Sequence, residues 1–153
     1  MTNRTKILIA EDEAIIRLDL KESLEAEGYE VVGETGRGDE VIGLVRTLEP
    51  DLVILDIKMP GMTGIQAAEI ISEERSAAVI LLTAFSQQEL VQQASNAGVL
   101  AYLVKPFQRS DLVPSIELAL GRYKEITLLK EEKTLLENNL ESRKVIDRAK
   151  GML

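Results

Sequence analysis

Four short apolar runs in this chain each end in a polar residue of a different chemical kind. Residues 7–10 run into Glu11 and Asp12, 52–55 into Asp56, 79–82 into Thr83, and 103–104 into Lys105 and Pro106. Runs of this length, rich in Val, Ile and Leu and separated by helix-like stretches, predict parallel strands buried on both faces. Their carboxyl ends then share one edge of a single sheet. In open α/β sheets that edge, where the strand order reverses, is where ligands bind. Acids from two strand ends, a hydroxyl and an amine should therefore converge there.

The pattern predicts strands over 6–10, 30–34, 52–55, 78–83 and 100–104. It predicts helices over 13–27, 39–48, 63–74 and 87–97, and a fifth starting near Ser110 and Asp111, a reasonable N-cap. Ile16, Leu20 and Leu24 recur at helical spacing before Gly28 stops the first helix, and Val41, Val45 and Leu48 do so in the second. Five strands alternating with five helices specify a doubly wound α/β parallel sheet covered on both faces. Nothing stops the fifth helix cleanly, so only its first three turns can pack on the sheet, and a long C-terminal helical extension follows. Along it Ile126, Leu129, Lys133, Leu136 and Leu140 form a heptad-like stripe. Such a stripe suits a two-stranded coiled coil with Lys133 as a polar core position, a contact with a further domain, or an exposed amphipathic extension.

Composition narrows the chemistry. The 153 residues are 45% apolar, enough for one ordinary domain and an appendage. There is no cysteine and no histidine, which excludes disulfides, thiolate nucleophiles, imidazole bases and zinc sites of the usual kind. A phosphohistidine, if one takes part, belongs to a partner. No apolar run is long enough to span a membrane and no leader is visible, so a cytoplasmic protein is expected. The net charge of −8 is uneven: residues 1–120 carry 10 basic against 20 acidic side chains, and 121–153 carry 8 against 6. The globular part should repel nucleic acid, and the tail is less hostile to it.

Glu11, Asp12 and Asp56 define the candidate chemistry. Taken alone, the triplet Glu11-Asp12-Glu13 also reads as an acidic turn that starts a helix. If the three carboxylates converge at separations of about 5 Å, each pair repels by about 3 kcal/mol at an effective dielectric near 20. A divalent cation relieves that repulsion, and an all-carboxylate donor set selects Mg²⁺, or Mn²⁺ in its place. Asp56 could be a metal ligand, a cap or a nucleophile. Lys105 and Thr83, a cation and a hydroxyl suited to phosphoryl oxygens, favour the nucleophile and an aspartyl phosphate product. Otherwise Lys105 is an ion-pair partner, and Thr83 bonds its own backbone.

Taken together, these pieces resemble the receiver domain of two-component response regulators. The matching segments are Ile9-Ala10-Glu11-Asp12-Glu13, Asp56-Ile57-Lys58-Met59-Pro60 followed by Gly64, Leu82-Thr83-Ala84, and Ala101 through Phe107 with Tyr102 and Lys105-Pro106 inside it. They span residues 6 to about 120. The resemblance implies a flavodoxin-like fold with strand order 2-1-3-4-5. It implies that Asp56 accepts a phosphoryl group from the phosphohistidine of a sensor histidine kinase. Mg²⁺ would be held by Asp12, Asp56 and the main-chain carbonyl of Lys58, with Glu11 holding a metal-bound water. It further implies a switch in which Thr83 and Ala84 approach the phosphoryl group and Tyr102 turns inward, remodelling the face of the fourth helix, fifth strand and fifth helix. The Lys105-Pro106 bond is expected to be cis. Thr63 stands where the family often has an acid, a mild departure.

Residues 141–153 resemble the opening helix of the ANTAR domain, an RNA-binding antiterminator module, with Arg143, Lys144, Arg148 and Lys150 as candidate RNA contacts. The implied organisation is a receiver over 1–120, a helical or coiled-coil linker over 121–140, and the first part of an ANTAR domain over 141–153 in a longer product. A homodimer through the C-terminal helix is possible. The expected function is a phosphorylation-controlled regulator with an antitermination output, which as an enzyme catalyses only its own phosphorylation and dephosphorylation. The alternative is a stand-alone receiver acting through protein contact. A flavodoxin-like flavin carrier would need a Ser/Thr/Gly-rich phosphate loop where Glu11-Asp12-Glu13 stands. An aspartyl phosphatase would need an acid where Lys58 stands.

Overall fold

The apolar runs form strands β1 (Lys6–Ala10), β3 (Leu52–Asp56), β4 (Ala78–Ala84) and β5 (Ala101–Lys105), and β2 (Glu30–Thr35) completes the sheet. They are joined by helices α1 (Ala14–Ala26), α2 (Gly38–Leu48) and α3 (Gly64–Glu74), with α4 (Arg109–Ala149) last. The computed structural model describes residues 4–74, 76–84 and 96–149, with side chains up to residue 129. Most of the helix expected over 87–97 lies outside the described residues. The chain divides into two units, Met1–Tyr123 and Lys124–Leu153.

Every ladder is parallel and the strand order is β2-β1-β3-β4-β5, the doubly wound arrangement expected. The order in which strands are added reverses between β1 and β3, which makes their carboxyl ends the switch point. Alternation divides each inner strand between two cores. Leu8, Val53, Leu55, Val79 and Leu81 pack beneath Val41 and Val45 of α2 and Ala67, Ala68 and Ile71 of α3. Ile7, Ile9, Leu52, Ile54, Ile80 and Leu82 pack beneath Leu20 and Leu24 of α1 and Leu112, Ile116 and Ala119 of α4. Each such side chain fully buried contributes about 1.5–3 kcal/mol relative to exposure. β2 is one of the two edge strands and is mostly half-buried or exposed, so it lacks the continuous apolar run of β1, β3 and β4.

The helix ends show where local chemistry decided the boundaries. Gly28 adopts φ 93° beyond α1, the left-handed conformation that ends helices at glycine. Thr63 and Gln66 form a reciprocal cap on α3: the Gln66 amide donates to Thr63 Oγ1 and the Thr63 amide to Gln66 Oε1, both at 3.1 Å. The residue that departs from the family pattern is thus a helix cap, worth about 1 kcal/mol. At α4 the expected cap at Ser110 is displaced. The helix starts at Arg109, and Asp111 reaches back to accept from the Gln108 amide at 3.0 Å, which places the cap at Gln108, two residues earlier. Leu112, Ile116 and Ala119 are buried, so the first three turns of α4 pack on the sheet as expected. Further along, Ile126 and Leu129 of the heptad-like stripe are 44% and 63% exposed. Among the described residues no helix is long and apolar enough to cross a membrane.

Candidate functional site

Strand register brings the polar strand ends to one level. Ala10 pairs with Leu55, Asp56 with Leu82, Thr83 with Val104, and Ala84 with Lys105. Glu11 and Asp12, directly after β1, thereby reach Asp56 at the end of β3. One carboxylate oxygen from each of Glu11, Asp12 and Asp56 lies within 4.8 Å of the others. That separation matches the convergence expected from the sequence. Asp12 is exposed, whereas Glu11 is fully buried and Asp56 is 5% exposed.

Lys105 binds the two buried acids from β5. Its Nζ donates to Glu11 Oε1 at 3.1 Å and lies 3.2 Å from Asp56 Oδ1. Asp56 Oδ1 also accepts from the Ile57 amide at 2.9 Å, which fixes the carboxylate plane at the start of the β3–α3 loop. Burial, reinforced by the adjacent Asp56, pushes the Glu11 carboxyl up to about 8, and Lys105 only partly offsets this. For Lys105, burial works against the charged form. The Glu11 hydrogen bond and the Asp56 charge outweigh it and hold the ammonium above its ordinary pKa.

The donor set fits a hard divalent cation. All three groups are oxygen donors, and Glu11 Oε2 is buried without a hydrogen-bond partner. A buried carboxylate oxygen left unpaired is costly unless a cation or ordered water completes it. The acidic triplet directly precedes α1, with Glu13 at the N-cap position, but Glu13 makes no side-chain cap and the first turn holds no acid, so dipole capping does not account for Glu11 and Asp12.

The remaining candidates surround this cluster. Thr83, 4% exposed, ends the buried part of β4, and Ala84 follows it. Lys58 lies two residues past Asp56 with its side chain exposed. Tyr102 is half-buried on β5, opposite Leu81 and packed against the α2–α3 side core. The Lys105–Pro106 peptide is cis. Beside the cluster, Glu13, Ile16 and Asp19 of the α1 region and Ala84, Lys105, Pro106 and Phe107 line a cavity of about 390 Å³. The side chains of Arg143, Lys144 and Arg148 and all of Lys150 lie outside what is described.

Two glycines hold the β3–α3 loop in a way that spacing does not reveal. A Cβ at Gly64 would come within 2.1 Å of the Asp56 main-chain oxygen, and one at Gly38 within 1.7 Å of the Met62 oxygen. The Gly64 amide donates to the Ile57 carbonyl at 2.8 Å, and Gly38 to the Pro60 carbonyl at 3.0 Å. Any larger residue would move the loop that follows Asp56 and carries Lys58.

A model of the response regulator receiver domain matches residues 7–117. The transcriptional regulatory protein PdtaR of Mycobacterium tuberculosis is 55% identical over 148 residues, covering 97% of this chain and 72% of that protein. The chemotaxis protein CheY of Thermotoga maritima is 40% identical over 112 residues, covering 72% of this chain and 93% of that protein. Among solved structures, a CheY-like response regulator receiver domain protein of Methanospirillum hungatei superposes with a TM-score of 0.73 at 30% identity. That superposition covers 80% of this chain and 98% of the other.

Proposed function

The chain belongs to the response regulator receiver family, and from that membership we propose that it accepts a phosphoryl group on Asp56 from the phosphohistidine of a sensor kinase, with Mg²⁺ held by Asp12, Asp56 and the Lys58 carbonyl and with Glu11 holding a metal-bound water. The observation that carries this reading is the placement of Asp56: nearly buried, 3.2 Å from the Lys105 ammonium and within 4.8 Å of two further carboxylates. Bound there, Mg²⁺ supplies the positive charge that lets three acids and a phosphoryl group share one site. The Ile57 amide and Lys105 hold Asp56 Oδ1, which leaves Oδ2 to attack phosphorus. The P–N bond to the partner imidazole breaks as the P–O bond forms, and the imidazole takes up a proton. Lys105 then faces a phosphoryl oxygen, and the Thr83 hydroxyl and Ala84 amide serve the others, with Tyr102 following Thr83 inward. In this reading the chain catalyses only this transfer and the later hydrolysis of the acyl phosphate, in which water takes up the phosphoryl group and inorganic phosphate leaves.

Mg²⁺ is expected to raise the melting temperature of the wild-type chain by several degrees, as any ligand of the folded state alone does. Asp12→Ala should lose that response in differential scanning fluorimetry. An equal response in both would remove Asp12 from the metal site.

For the output, we propose RNA binding and antitermination through an ANTAR domain that begins near residue 141, with 121–140 as a coiled-coil linker between two copies. Two observations support it: the sequence resemblance of 141–153, and similarity to a named transcriptional regulatory protein over a span too long to be confined to the receiver. Pairing along the stripe would cover the exposed Ile126 and Leu129. The test is binding of an RNA hairpin by the full encoded protein with and without phosphorylation. Binding that responds to phosphorylation supports this output. Phosphorylation-dependent protein contact without RNA binding would favour the stand-alone receiver instead.

A further inference from the structure

The segment that carries Glu11 and Asp12 is short, and its main chain is held from an unexpected direction. The Glu11 amide still pairs with β2, donating to the Thr35 carbonyl at 3.0 Å. Its carbonyl has left the sheet and accepts instead from Arg17 Nη1 at 2.6 Å. The amide of the same arginine donates to the Glu13 carbonyl at 2.9 Å, so one residue of α1 holds both ends of the Glu11–Glu13 turn. Helical side chains lean toward the amino end of their helix, which is why Arg17 reaches back over this turn.

The guanidinium is itself fixed on its far side. Arg17 Nε lies 3.4 Å from Glu34 Oε1 on β2, and Glu34 Oε2 lies 3.5 Å from Lys21. Gly36 closes the remaining side: a Cβ there would stand 2.9 Å from Arg17 Nη1 and 3.5 Å from Asp12 Cα. Arg17 is only 23% exposed. Its planar fork can serve a carbonyl and a carboxylate at once, which a lysine cannot reproduce.

We propose that Arg17 is a positioning residue for the metal ligands: by fixing the Glu11 carbonyl it sets the direction in which Asp12 leaves β1, and so aims the Asp12 carboxylate at Glu11 and Asp56. Asp12 needs this because it is exposed, so burial does not hold it in place. Arg17 acts through the contacts of its guanidinium with the Glu11 carbonyl and Glu34, not as a ligand of the metal. The inference rests on the metal-dependent receiver reading above and adds a residue to it.

The test uses Mn²⁺ binding followed by electron paramagnetic resonance of the free ion, on the wild-type chain and on Arg17→Gln, Arg17→Lys, Gly36→Ala and Lys21→Gln. Arg17→Gln should weaken Mn²⁺ binding by about tenfold, the scale of outer-shell substitutions at metal sites. Arg17→Lys should fall between, and Gly36→Ala, which crowds the guanidinium without removing it, should shift in the same direction. Lys21→Gln removes a charge from the same ion-pair network but leaves the carbonyl bond intact, so its affinity should stay within about twofold of wild type. In acetyl phosphate labelling, Arg17→Gln should raise the half-saturating Mg²⁺ while the rate at excess Mg²⁺ is retained. Arg17→Gln binding Mn²⁺ as wild type does, with only a lower urea midpoint, would overturn the proposal and leave the receiver reading standing. Failure of the wild-type chain to bind Mn²⁺ would remove the metal site itself, and Arg17 positioning with it.

Discussion

Asp56→Asn is expected to take up no phosphoryl group from acetyl phosphate and Mg²⁺, whereas the wild-type chain gains the mass of one. Asparagine preserves the shape of the side chain and can still accept from the Ile57 amide through its carbonyl oxygen, so the fold should survive. What it lacks is an anionic oxygen able to attack phosphorus. The substitution also removes one of the charges that crowd the site, and the metal-free protein should be at least as stable as wild type. Intact-mass spectrometry reads the first effect and urea unfolding the second. Undiminished labelling of a folded Asp56→Asn protein would mean that another residue is the acceptor.

The second large effect is expected at Lys105. Methionine there retains most of the apolar stem and removes the ammonium that faces Glu11 and Asp56. Labelling at saturating Mg²⁺ should slow by about a hundredfold, the scale for loss of one donor to developing charge. Mn²⁺ binding should tighten, because the ammonium no longer competes with the metal for the same carboxylates. These opposite signs separate a phosphoryl-binding lysine from a structural ion pair, whose loss would disturb both measurements in one direction. A Lys105→Met protein that is labelled as fast as wild type would contradict the role assigned to it.

The parts of the fold that were legible in the sequence are those set by burial. β1, β3 and β4 are covered on both sides, so their apolar runs are continuous, and the acids and the hydroxyl that interrupt them fall at strand ends by geometry. Glu11, Asp12, Asp56 and Lys105 could be gathered by topology alone. The cap of α4 was harder to read because Gln108 is not among the usual capping residues, and its turn is fixed from within the helix by Asp111. Thr63 and Gln66 did stand at the spacing of a capping box. Arg17 left no trace in the pattern. Its partner is a main-chain carbonyl, which has no sequence identity, and its second contact, Glu34, comes from a neighbouring strand. The same holds for Gly38, whereas Gly64 was visible as part of the Asp56 motif but its physical reason was not; for both, that reason is backbone passing close by.

The phosphoryl chemistry proposed for this sheet edge depends on a cluster of acids that, among the described side chains, Lys105 alone of the cations enters directly. Borohydride reduction of the freshly labelled protein, followed by peptide mass spectrometry, tests that account at the bond itself. An acyl phosphate on Asp56 is reduced to homoserine, and the account predicts that product at position 56, dependent on Mg²⁺. Homoserine at another aspartate, or label that resists borohydride as a phosphorylated hydroxyl would, contradicts it.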